Sequence, residues 1–244
     1  YWNFSDGVLT LNGTNLSSAK EEFGYPWECF RKDAKKIIVG AQVQTIPSDL
    51  FAWYDNTESV ELPNGLTTIG DNAFQGCSVL KDITLPETVK TVGYAAFIGC
   101  GFNSIRIPAS VEEIGGSAFG YSCDAQLNTK FYIVGQAGSG AETYAKVNDI
   151  VFVDEVNPTI PMSVCDVTAA RTAVYDGKAV EPAVKVFFNS KELVQGTDYT
   201  VTYADNTSVG TGRIIITGLG QYTGSVEQTF EIKEQKVSSK TMVP

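Results

Sequence analysis

Histidine is absent from this chain, and cysteine and methionine are scarce, at 5 and 2 of 244 residues. Without imidazole there is no Ser-His-Asp or Cys-His catalytic group and no histidine metal ligand. An odd number of cysteines does not make a disulfide scaffold. No run approaches the roughly 20 apolar residues that span a bilayer, so no membrane insertion is expected of this sequence. Positive charge is short as well: 18 Lys and Arg stand against 28 Asp and Glu, a net −10. That balance leaves no footprint for a polyanion, so nucleic acid is not an expected partner. The cluster Arg31, Lys32, Lys35, Lys36 reads as a solvated edge, and the acidic pairs Glu21-Glu22 and Glu112-Glu113 as solvated surface. No DxDxDG calcium loop is present. The glycines of Gly135-Gln-Ala-Gly138-Ser-Gly140 lack the Gly-Lys-Ser/Thr end of a phosphate loop and are better read as a helix start. No cofactor is expected. The chain opens at Tyr1 without a methionine or a charged-then-apolar leader, so an export signal is expected to have been removed or to lie outside this sequence.

Repetition is what the chain does have. Aligned on phenylalanine, one phrase recurs as VQTIPSDLF, LTTIGDNAFQGC, VKTVGYAAFIGC and VEEIGGSAFGYSC, which places Phe51, Phe74, Phe97 and Phe119 in register at spacings of 23, 23 and 22. Between copies lie SVELP, DITLP and SIRIP, ending at Pro63, Pro86 and Pro108. A period in the twenties with an apolar strand per repeat is the mark of a leucine-rich solenoid. In the copy from Leu62 to Pro86, Leu66 and Ile69 point inward and Gly70-Asp71-Asn72 turns the chain. Ala73-Phe74 enter the core on a helical or 3₁₀ half-turn, and Leu80, Ile83 and Leu85 form a return strand that Pro86 ends. A single unit cannot bury its own apolar face, so neighbours must stack and both ends need lids.

Both lids are legible. Trp2 to Thr14 reads as a hairpin turning at Asp6-Gly7, followed by Pro26-Trp27 and a first return strand ending at Val39. At the rear, Phe131 and Ile133 mark a strand, and Ser139-Gly-Ala-Glu142 is a capping box that opens a short helix through Ala145 and Val147. Ile150 to Val153 is a last strand.

The consensus xxVxxIGxxAFxGCxxLxxIxIP resembles the BspA-type leucine-rich repeat family, also called the Treponema pallidum type. The resemblance covers residues 1–155, flanks included. Departures are Ile46-Pro47 and a missing cysteine in the first copy, and an insertion around Asp124–Lys130 in the fourth.

Residues 156–163, with two prolines, read as a stiff linker. Alternating runs at Val184–Phe188, Tyr199–Tyr203, Arg213–Thr217 and Val226–Ile232 then imply a small β-sandwich over 164–233. Its phrases YDGKAVEPAVKV and GTDYTVTYADNTSVGTG resemble an immunoglobulin-like module of surface proteins from Gram-positive gut bacteria, which serves as a spacer. Residues 234–244 read as a tail. The fold class expected is therefore mainly β, a leucine-rich-repeat solenoid followed by a small immunoglobulin-like sandwich.

Cys77, Cys100 and Cys123 recur every 23 residues and should stack one per turn. Three cannot pair off, and parallel side chains meet with poor disulfide torsion, so buried reduced thiols are favoured over an oxidised pair or a metal site. Cys29 and Cys165 have no evident partner in the sequence. The candidate site is the open face of the return strands. Taking Ile37/Val39, Val60/Leu62, Ile83/Leu85, Ile105/Ile107 and Phe131/Ile133 as inward pairs, the row facing out is Ile38, Glu61, Thr84, Arg106 and Tyr132, flanked by Lys36, Ser59, Asp82, Ser104 and Lys130. Such a row is also what an ordinary exposed sheet presents. The family resemblance implies a non-catalytic surface or secreted bacterial protein that adheres to a protein or glycan of a host or neighbouring cell, with Tyr132 and Trp53 as the aromatics for a glycan. The alternatives are an architectural stalk, or an enzyme that without histidine would need a facing carboxylate pair.

Overall fold

The computed structural model describes residues 2–19 and 24–235, so Glu21-Glu22 and most of the expected tail lie outside the described residues. The chain divides into two compact units, Tyr1–Pro158 and Thr159–Pro244. In the first, strands β1 (Trp2–Ser5), β2 (Val8–Leu11), β3 (Lys36–Val39), β4 (Thr45–Ile46), β5 (Ser59–Glu61) and β6 (Thr68–Ile69) come in order. They are followed by β7 (Thr91–Val92), β8 (Ser104–Arg106), β9 (Glu113–Ile114), β10 (Tyr132–Gly135), helix α1 (Gly140–Val147) and β11 (Val151–Asp154).

Successive turns stack as parallel ladders. On one side β4, β6, β7 and β9 pair in register, Ile46 with Ile69, Ile69 with Val92 and Val92 with Ile114. At the next corner each phenylalanine amide donates to the alanine carbonyl one turn on: Phe51 to Ala73 at 2.8 Å, Phe74 to Ala96 at 2.8 Å and Phe97 to Ala118 at 3.0 Å. The same turns stack the four rings as a column, with centroids 5.2, 5.1 and 5.1 Å apart and planes within 26°. All four are buried. Each contributes roughly 1.5–3 kcal/mol by burial, and each contact between stacked aromatics about 0.5–1.5 more. The corner is built from turns rather than the expected helical half-turn: alternate amides bond to the next turn, as at Phe51 and Trp53, while those between them, as at Ala52 and Gln75, bond three residues back along the chain.

The glycine after Ile or Val in the phrase has a steric cause. A Cβ at Gly70 would lie 2.5 Å from the Ser48 amide nitrogen, at Gly93 2.5 Å from that of Asp71, and at Gly115 2.4 Å from that of Tyr94. Each turn presses on the backbone of the turn before it. The first copy follows no such turn at that corner and carries Pro47 instead.

The lids close the column at either end. β1 and β2 form the expected antiparallel hairpin, and β2 then pairs parallel with β3, Leu9 beside Ile37. Tyr54 stands where later copies have the cysteine. Its buried ring meets Phe51 edge-on at 5.7 Å and 88°, and its hydroxyl donates to the Trp27 carbonyl at 3.3 Å. At the rear, Tyr144 on α1 meets Phe119 at 6.0 Å and 89°. Its hydroxyl accepts from the Phe119 amide at 3.0 Å and donates to the Phe119 carbonyl at 3.1 Å. The expected capping box does not form, and the N-cap Ser139 amide bonds the Gln136 carbonyl at 3.2 Å instead. Glu142 takes the Gly138 amide at 2.6 Å, whereas the buried Ser139 hydroxyl has no hydrogen-bond partner. The helix runs through Ala145 and Val147 as expected, with Ala145 buried and Val147 exposed.

The return strands are not one continuous sheet. β1, β2, β3 and β5 make one, and β8, β10 and β11 another. The expected strand at Asp82–Leu85 is not formed, although Ile83 and Leu85 still point into the core, 7% and 2% exposed. Toward β8 the segment meets a copy one residue shorter, since Phe97 and Pro108 are separated by one residue fewer than Phe74 and Pro86. Toward β5 there is no such difference in chain length.

In the second unit, β12 (Ile160–Pro161), β13 (Asp166–Ala169), β14 (Thr172–Tyr175), β15 (Val184–Phe188) and β16 (Lys191–Glu192) come first. β17 (Tyr199–Ala204), β18 (Gly210–Gly218), β19 (Tyr222–Thr223) and β20 (Ser225–Glu234) follow. They form sheets β13-β15-β16 and β14-β20-β18-β17 and the pair β12-β19. Val186, Ile214, Ile216, Phe230 and Ile232 are buried. The linker expected over 156–163 is overturned in its second half. Ile160 pairs with Tyr222 and Met162 is 1% exposed, since both are large apolar groups that the unit can bury.

Two outcomes follow. Gly93→Ala lowers stability by about 1–3 kcal/mol through backbone overlap. Gly65→Ala, whose new methyl would meet nothing nearer than the Ala41 carbonyl at 3.8 Å, changes it by under about 0.5 kcal/mol; denaturant titration of both reads the difference. Burial pushes the Tyr144 hydroxyl from its ordinary 10.0 up to about 12. Its contribution is therefore full below pH 10 and lost as pH rises toward about 12. Tyr144→Phe should be less stable at neutral pH and show a shallower alkaline decline in melting temperature.

Candidate functional site

The face of the return strands is built by parallel pairing. Lys36 lies beside Ser59 and Ile38 beside Glu61. In the second sheet Ser104 lies beside Tyr132 and Arg106 beside Val134, with Val151 and Val153 next along. Inward side chains alternate with outward ones because strand periodicity is two. Ile37, Val60, Ile105 and Ile133 form the floor.

Several expected positions stand where the sequence placed them. Ile38 is half-buried, and Glu61, Ser59 and Arg106 are exposed, with Ser104 intermediate. Glu61 accepts an ion pair from Lys36 at 2.5 Å. Thr84 and Asp82 are exposed but belong to the segment that joins neither sheet, so they do not complete the row. The rear of the row is corrected by two residues. Val134, not Tyr132, lies beside Arg106, and the strand residue beside Ser104 is Tyr132 rather than Lys130. Lys130 sits in the turn before β10. The inserted Asp124–Lys130 loop consumes residues that the repeat spacing assigns to the strand, so Phe131 falls before β10 instead of within it. Tyr132 is 4% exposed and is therefore not available to stack on a glycan.

Two residues that sequence reasoning missed organise the rear sheet. Glu87 and Glu155 grip Arg106, at 2.6 Å to Nη1 and 2.9 Å to Nε. Both raise the Arg106 pKa above its usual value, the Glu87 bond most. Glu87 follows Pro86 and Glu155 follows β11, so their convergence appears only once the turns are stacked. The basic cluster near residue 31 is likewise paired: Lys32 with Asp55 at 2.5 Å, Arg31 with Glu28 at 3.8 Å, and the Arg31 guanidinium over the Tyr54 ring at 6.0 Å.

Trp53 is 47% exposed at the corner after Phe51, away from the return strands. It takes φ +66°, where the next two copies have glycine at +73°. A bulky residue in the left-handed region is uncommon. Its ring lies across Gly76, where a Cβ would come within 2.3 Å of it.

None of the cysteines among the described residues is in a disulfide. The Cys77 thiol donates to the Phe51 carbonyl and the Cys100 thiol to that of Phe74, both at 3.3 Å. Cys123 is exposed, against the expectation of burial. It stands four residues after its phenylalanine, where Cys77 and Cys100 stand three after theirs, and its sulfur covers Gly99 from outside. Burial raises the Cys100 and Cys123 thiols above the usual 9.0. No group of three or more Cys, Asp or Glu suited to a metal ion occurs among the described residues. Alkylation of the native chain should therefore label Cys123 well before Cys77. Because its pKa is raised, the Cys123 rate should keep climbing above pH 9, with five thiols counted after unfolding without reductant; fewer would reveal an oxidised pair.

No curated protein matches the chain. Among solved structures it is similar to a leucine-rich repeat protein from Bacteroides ovatus, at 22% identity and TM-score 0.40, covering 55% of this chain and 45% of that one. A T. pallidum leucine rich repeat protein matches at 20% and 0.40, covering 55% and 67%, and the pneumococcal vaccine antigen PcpA at 20% and 0.39, covering 50% and 36%. This chain thus spans less than half the length of the Bacteroides protein, and at such scores no conclusion rests on these likenesses. The family profile described as BspA type leucine rich repeat region matches residues 28–155 in 6 copies. That stretch runs from before β3 to the end of β11 and takes in more than half of the sequence. The chain belongs to the BspA-type leucine-rich repeat family.

Proposed function

We propose that this chain is a non-catalytic recognition module of a bacterial surface or secreted protein, engaging a protein or glycan of a host or neighbouring cell through its return strands. The observation that carries this reading is the outward placement of Ile38 and Glu61 on one parallel sheet and of Arg106 on the next, each above a buried floor. Solenoids use such surfaces to bind partners, because stacking fixes side-chain spacing before the partner arrives. Family membership adds weight to a surface role, and the paired sheets of the second unit suit an immunoglobulin-like spacer. Trp53, the exposed one of the two candidate aromatics, lies away from the return strands, so this face suits a protein better than a glycan.

One observation favours the rival reading of an architectural stalk. Glu61 is neutralised by Lys36, and Arg106 by Glu87 and Glu155, so those charges are already satisfied within the chain. The two readings part on charge reversal. Glu61→Arg with Arg106→Glu should reduce binding of the full chain to host cells, or to spots on a glycan and protein array, by about tenfold or more, with the melting temperature held. Unchanged binding places recognition off this face.

A further inference from the structure

The break in the return-strand face leaves strand edges open. β5 is hydrogen-bonded to β3 on one side, and its other side has no partner strand; β8 is likewise paired only with β10. Between them, residues 82–85 make no backbone hydrogen bond to either strand among the described residues. Beside β5 opens a groove of about 470 Å³, floored by Val60 and Ile83 and walled by Glu58, Glu61, Asp82 and Thr84. That volume is on the scale of a ligand cleft. An unpaired strand edge in mid-solenoid leaves a row of N–H and C=O groups without partners, the template on which a further strand assembles.

The rim states the charge of the occupant. The three charged side chains that line the groove are all carboxylates, Glu58, Glu61 and Asp82. Lys36 neutralises Glu61, whereas Glu58 and Asp82 have no ion pair among the described residues. We propose that this groove captures an extended, cationic peptide segment of another protein as an added strand on the open edge of β5. Its main chain takes up the unpaired backbone groups, its inward side chains rest on Val60 and Ile83, and its lysines or arginines meet Glu58 and Asp82. A polyanion is repelled by such a rim. A second copy of this chain is disfavoured by its net charge of −10.

This inference rests on the recognition reading only in putting the ligand on the strand face, and its test is separate. The probe is a fluorescein-labelled heptapeptide of alternating lysine and valine, titrated into the full chain and read by anisotropy. Saturable binding is expected, weakening with salt. It should fall about tenfold or more in Glu58→Lys with Asp82→Lys, and by a similar factor when alternate peptide amides are N-methylated, which keeps the charge and removes the pairing. Both substitutions are at exposed positions, and circular dichroism confirms that the variant folds. Absence of binding, equal binding of the methylated peptide, or a sedimentation result in which a second copy fills the edge overturns the proposal. A chain that ignores the peptide yet keeps its cell or array binding sinks this inference alone. Loss of array binding on charge reversal with peptide capture intact leaves both standing, and no array binding at all alongside peptide capture sinks the broader reading.

Discussion

The contact between one phenylalanine and the next is the constraint on which the repeat unit depends. A single turn of about 23 residues has too few apolar groups to shelter its own ring, and its phenylalanine amide bonds outside the turn. The following turn supplies both at once: a ring 5.1–5.2 Å away and an alanine carbonyl at 2.8–3.0 Å. Once that contact is set, the glycine three residues before the inward alanine is required, because adjacent backbones come too close for a Cβ. The same closeness draws the cysteine thiols onto the phenylalanine carbonyls of the preceding turn. The column ends in Tyr54 at the front and Tyr144 at the rear, each an aromatic set edge-on with its hydroxyl bonded to backbone. Both ends thus bring a large ring to a place where a further turn would have brought a phenylalanine.

Much of this was legible in the sequence, because the phrase that specifies a turn is short and its period nearly constant. Phenylalanine register, turn residues, strand-ending prolines and the hairpin at Asp6-Gly7 follow from local chemistry. What failed did so where counting replaced geometry. Tyr132 was assigned to the row of Arg106 by extending the repeat through the Asp124–Lys130 insertion, but a loop absorbs residues without advancing a strand. Cys123 keeps the 23-residue interval from Cys100 while its own phenylalanine has moved one residue closer, so it lies outside the core. Ile83 and Leu85 carry the alternation of a strand and are buried like one, yet backbone pairing there is missing. Burial and pairing are separate conditions, and sequence alternation reports only the first. The Glu87–Arg106–Glu155 grip depends on three separate turns and had no local signal at all.

These features bear on function together. A stacked solenoid presents its outward side chains at fixed spacing, so little ordering entropy remains to be lost when a partner arrives. Most charges on the return-strand face are already matched within the chain, which argues against a purely electrostatic role for it. The place where matching fails is the gap beside β5, where backbone groups are unpaired and Glu58 and Asp82 stand without cations. A surface otherwise satisfied internally is most receptive at the point where it is not.

Amide hydrogen exchange on the full chain, resolved residue by residue, tests this picture most directly. The account expects the amides of Phe51, Phe74 and Phe97 to exchange together and slowly, as members of one cooperative stack, while those of Ile83, Thr84 and Leu85 exchange fast despite the burial of two of the side chains. Slow exchange at all three of the latter would mean that the return strands form an unbroken sheet. Fast or unequal exchange at the phenylalanines would mean that the turns do not depend on one another.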